Sequence, residues 1–182
     1  MDEPLQGALS QSPAEHRMAG ALGALWGVGG VLYLLTEATW RLAMIALDGL
    51  SNMPAIYWLP TLAWVGFNAY AEGYKGFQRA FAPRLVARAE LLVRKPTPTR
   101  TLLAPLFLMA LVDATRKRLI VSWVLVGAIT GLVTIVRALP QPARGIVDAG
   151  VVVGLGWGIA AIVAMLVRRA QGHVSDTDPE LA

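Results

Sequence analysis

Glu72 and Asp113 are the carboxylates in this chain that stand closest to clustered cations. Lys75 follows the first by three residues, and Arg116, Lys117 and Arg118 follow the second. A carboxylate beside cations can relay a proton or, with them, hold a phosphorylated headgroup. Asn68 lies one helical turn before Glu72, on the same face. Glu72, Asp113, Arg116, Lys117 and Arg118 therefore form the candidate polar cluster. The competing reading is a charge-balanced membrane edge, because ion-pair networks also perturb acids that do no chemistry. Glu37/Arg41 and Arg144/Asp148 are each spaced four apart and can pair along a helix. Both are expected to anchor helix ends at an interface.

Other chemistry is excluded by residue type. There is no cysteine among the 182 residues, so disulfides, thiolate nucleophiles and cysteine-ligated metals are out. The two histidines, His16 and His173, lie in polar tails, which leaves no histidine pair for haem or a metal pair. No catalytic residue, metal site or cofactor is expected. DAGVVVGLGWG (148–158) is rich in glycine, but a dinucleotide loop must follow a strand and open a helix. Here the glycines sit inside an apolar run. Gly150, Gly154 and Gly158 repeat every four residues and make a smooth helix face, a glycine zipper. Gly23 and Gly27 repeat the device, as do Gly127 and Gly131. Such faces let helix backbones approach closely, within one bundle or across an interface with a partner or a second copy.

The elements that position these residues are membrane helices. Hydrophobic residues make up 55% of the chain and charged residues 15%, against about 25% charged in soluble domains. Residues 18–35, 119–136 and 149–167 carry no charge, and each is long enough to span a bilayer. A further span is expected at 54–71, with aromatics at both ends. Within 72–118, from Pro83 onward, Leu85, Val86, Ala89, Leu92 and Val93 share one helical face. Arg84, Arg88, Arg94 and Lys95 fill the remainder, which predicts a basic amphipathic helix on anionic lipid. Nucleic acid is excluded, since the helix lacks base-stacking aromatics. The apolar part of 102–112 is too short to span and suits an interfacial or re-entrant helix.

This gives an all-α integral membrane bundle of four transmembrane helices plus the basic and the short interfacial helix. Its sections are a polar tail (1–17), a first helix pair (18–71), a basic section (72–118), a second helix pair (119–169) and a polar tail (170–182). The opening MDEPLQGALSQSPAEHR is polar, unlike a secretory signal. With four spans, thirteen of the sixteen Lys and Arg fall on one side, so both termini and the basic section are expected in the cytoplasm.

EGYKGFQRAFAPRLVARA (72–89), TLLAPLFLMALVDATRKRLIVSW (101–123) and LPQPARGIVDAGVVVGLGWG (139–158) resemble a family of small polytopic inner-membrane proteins of Gram-negative bacteria with no assigned activity. The resemblance implies an inner-membrane location and brings no catalytic residues. The expected function is non-enzymatic: an accessory, assembly or scaffolding subunit packed against membrane helices and anionic lipid. The alternatives are a small oligomeric transporter or channel component, or a membrane enzyme acting on a lipid headgroup at the polar cluster.

Overall fold

A computed structural model describes residues 13–51, 53–173 and 177–179. Most of the expected N-terminal tail, and residues 174–176 and 180–182 of the C-terminal one, lie outside that range. All regular structure among the described residues is helical: α1 (Pro13–Ser51), α2 (Trp58–Asn68), a π-helical stretch (Ala69–Phe81), α3 (Ala82–Arg94), α4 (Pro98–Leu102), α5 (Ala104–Leu108), α6 (Arg116–Arg137) and α7 (Ala143–Ala170). Three helices are long and apolar enough to cross a membrane: Arg17–Ser51, Arg116–Arg137 and Ala143–Ala170.

The segment expected as a separate span at 54–71 is the start of a longer object. α2, the π-helical stretch and α3 follow one another without a break from Trp58 to Arg94. Pro60 does not interrupt this run, because it lies in the first turn of α2, where no backbone donor is needed. Ala82 closes the π stretch by donating to the Phe77 carbonyl, the i→i+5 pattern.

The long helix runs parallel to α7, and glycines set the register. A Cβ on Gly150 would meet Trp64 and Asn68, one on Gly154 would meet Glu72, and one on Gly158 would meet Phe77. Farther along, Arg169 pairs with Glu90. α1 packs antiparallel to α7: Gly49 faces Gly145, while Gly20 lies against the Leu92 and Val93 backbone beside the far end of α7.

The apolar core gathers at the end holding the start of α1, α3, α5 and the last third of α7. It includes Val31, Leu85, Leu92, Phe107, Leu108 and Ile162. The 102–112 segment folds as one short helix, α5, followed by a turn, and α5 packs on α1 with Gly27 against Ala104 and Leu108. α6 stands apart: only 6% of its apolar window is buried. A turn at 138–142, containing cis Gln141–Pro142, joins it to α7.

Candidate functional site

The expected polar cluster separates into two places. Glu72 lies in the π-helical stretch against α7, where a Cβ on Gly154 would stand 2.7 Å from its Oε2. Two residues on the preceding turns continue the same face. Asn68 is 2% exposed and donates to the Trp64 carbonyl at 2.8 Å. Trp64 donates its indole N–H to the Val147 carbonyl of α7 at 3.3 Å. Beyond Glu72, Gln78 accepts from the Trp157 indole at 2.8 Å. Polar side chains thus line the seam against glycines, because only a residue without a side chain leaves room for them.

Asp113 sits elsewhere, in the loop between α5 and α6. Its backbone adopts φ 48°, and Ala110 in the same loop adopts φ 57°. A left-handed conformation is costly for a residue with a side chain and persists where surroundings hold it. Arg88 and Arg100 do the holding. Arg88 donates to the Phe107 carbonyl at 3.0 Å and to the Asp113 carbonyl at 2.8 Å. Its guanidinium lies over the Phe107 ring at 4.6 Å. Arg100 pairs with the Asp113 carboxylate and also lies over Phe107, at 5.5 Å.

This corrects the lipid-binding expectation for Arg88, which is 1% exposed and engaged inside the bundle. The physical reason is angular. Residues 85, 88 and 92 are spaced three and four apart, so Arg88 falls on the buried stripe and not on the polar face. Arg84 is half-buried, while Arg94 and Lys95 are exposed. Arg94 approaches Glu90 at 3.7 Å. The helix as a whole is a wall of the core.

Arg116, Lys117 and Arg118 form the first turn of α6, capped by Thr115, whose hydroxyl accepts from the Arg118 amide at 3.4 Å. Arg116 and Lys117 are exposed. No hydrogen bond or ion pair joins Glu72 to Asp113, Arg116, Lys117 or Arg118 among the described residues. Two open grooves lie on outer helix faces. One, of about 610 Å³, is lined by Leu22, Trp26, Gly30, Tyr33 and Pro105. The other, of about 580 Å³, is lined by Gln78, Val153, Trp157, Ala161 and Arg168. Neither holds Glu72, Asp113 or Arg116. Among the described residues no group of three or more His, Asp or Glu is placed to hold a metal ion.

No family model, curated protein or solved structure matches the chain.

The other expected pairs form. Arg41 donates to Glu37 at 2.6 Å, and Arg144 lies 3.7 Å from Asp148, which is buried. The glycine faces divide. Gly23 and Gly27 meet Thr101, Ala104 and Leu108, and Gly150, Gly154 and Gly158 meet the long helix. A Cβ on Gly127 or Gly131 would meet nothing within 4 Å. Gly49 and Gly145 form a further close contact, absent from the four-residue repeats that mark the other glycine faces in the sequence.

Proposed function

We propose that the chain is a non-enzymatic integral membrane subunit that assembles with another membrane protein through α6. The carrying observation is the contrast between glycine faces. Those of α1 and α7 are filled from within the chain, whereas Gly127 and Gly131 of α6 face open space. Glycines four apart on an apolar helix are the pattern that lets a second helix approach to backbone contact. Ile120, Val124, Leu125 and Ile135 are exposed on the same element.

In this reading four helices cross the membrane, with the 58–94 helix as the second. α1 and α7 are antiparallel, so Arg17 and Arg168–Arg169 lie at one end, beside the exposed Arg94 and Lys95 and the α6 start. That end faces the cytoplasm, because it carries the arginine and lysine excess. α5 packs into the bundle at that boundary and α4 lies on its surface, the interfacial version of the 102–112 segment. Arg94 and Lys95 remain the contacts to anionic headgroups, each contributing about 1 kcal/mol near the surface. The inner membrane of a Gram-negative bacterium is the location implied by the resemblance above. The separation of Glu72 from Asp113 and Arg116 supports this reading over a headgroup enzyme, which needs them together.

The test is extraction of the tagged protein from its native membrane into lipid nanodiscs, with mass spectrometry of what accompanies it. A second membrane protein in stoichiometric amount, lost when Gly127 and Gly131 are both replaced by Leu, is expected. Recovery of the chain with lipid alone, or with a partner indifferent to those replacements, would overturn the proposal.

A further inference from the structure

Glu72 is a half-buried acid, set against α7, to which the bundle gives no counter-charge. Its carboxyl rests on Gly154, and it forms no hydrogen bond or ion pair among the described residues. α7 is the element packed across from it, and the face that meets it, Gly150, Gly154 and Gly158, holds no titratable group. The charged and titratable neighbours are otherwise engaged. Lys75 lies over the Tyr70 ring at 5.0 Å and Arg79 over the Tyr74 ring at 5.7 Å. Asp148 faces Arg144.

Depth follows from α7. Gly154 is ten residues from Arg144 and fourteen from Arg168, about 15 Å and about 21 Å along a helix. If α7 crosses the membrane, on which this inference rests, the carboxyl sits near the middle of a hydrocarbon core about 30 Å thick. An ionised acid there gives up much of its water and gains no partner. The ligand that a lone carboxyl can hold is a proton, since a metal cation needs several oxygens and no cluster of that size is present among the described residues. Glu72 lies within the π winding over 69–81, and such windings recur at functional positions.

We propose that Glu72 is a proton-binding site inside the membrane bundle: its carboxylate takes one proton to seat on Gly154, and returns it to water when the 58–94 helix parts from α7. No other bond changes. The site makes the contact between these two helices responsive to protons and goes beyond the assembly role of α6.

The test uses the full-length protein in native membranes and dicyclohexylcarbodiimide, a lipid-soluble reagent that adds a protonated carboxyl across its C=N bond. Peptide mapping is expected to find the adduct at Glu72. Its yield should fall about tenfold per pH unit once the acid is mostly ionised. Glu72→Gln should remove that adduct and leave the melting temperature of the bundle unchanged or higher, since the amide keeps the seat without a charge. No adduct at Glu72, or a yield indifferent to pH, overturns the proposal while the chain stays in the membrane after an alkaline carbonate wash. Release of the chain by that wash overturns the membrane reading itself, and this proposal with it.

Discussion

Arg88 shows how a single residue can be misassigned by chemical type and recovered by angle. Its neighbours Leu85, Val86, Ala89 and Leu92 mark a buried stripe that the sequence displays plainly, and Arg88 lies within that stripe. A charge is tolerated there because the fork satisfies two backbone carbonyls and the ring of Phe107 covers it. Replacement by Ala leaves the part-buried Asp113 carbonyl without this donor, at about 1–3 kcal/mol, while the Phe107 carbonyl keeps the Ala110 amide. Arg88→Lys keeps the charge but loses the fork. Both variants should melt below wild type in detergent, Arg88→Ala furthest. A Lys variant that melts like wild type would show that charge alone is required. Gly154 provides a second test at this scale. A Cβ there stands 2.7 Å from Glu72 Oε2 and 3.0 Å from its Cβ, so Gly154→Leu overpacks the seam. The expected loss is about 1–3 kcal/mol, read as a lower melting temperature.

At the scale of elements, the charge-free runs made α1, α6 and α7 legible, because apolar length alone identifies a helix able to cross a membrane. The continuity of 58–94 was not legible. Its first half is apolar and aromatic, its second half basic, and that change in composition reads as a boundary between a span and a surface helix. Packing against α7 along the first half, and against α1, α5 and α7 along the second, joins both halves into one rod. Nor could sequence tell the three glycine faces apart, since each repeats at four residues and only tertiary contact distinguishes a filled face from an open one. The open face belongs to an element held chiefly at its ends. Thr115 caps its start and the 138–142 turn leads into α7. Thr115→Ala should cost about 1 kcal/mol and appear as faster amide exchange in the first turn of α6. Gly127→Leu with Gly131→Leu should leave the melting temperature of the isolated chain near wild type, because no neighbouring atom lies within reach. Equal destabilisation by these and by Gly154→Leu would mean that α6 packs inside the bundle.

The whole molecule is polar in the literal sense. One end collects Arg17, Arg94, Lys95, Arg116, Lys117, Arg168 and Arg169, and the other holds Arg137 and Arg144. The antiparallel set of α1 and α7, the parallel run of 58–94 beside α7, and the loop that Arg88 and Arg100 tie before α6 create that division. The charge count along the chain points to such a division only if four spans are assumed, while the contacts show α1 antiparallel to α7 and the 58–94 helix parallel to it. Absence of cysteine makes the arrangement directly measurable, because any introduced thiol is the sole one present. Thr99 and Gln171 are exposed at the arginine-rich end, and Ala138 is exposed at the other. In sealed inside-out vesicles, Thr99→Cys and Gln171→Cys should react with a membrane-impermeant maleimide, and Ala138→Cys should react only after the vesicles are opened. Labelling of 99 and 171 from opposite sides would require an odd number of crossings between them. The 58–94 helix lies before both positions, so that outcome would leave only one of α6 and α7 crossing, and the proposed orientation would fall with it.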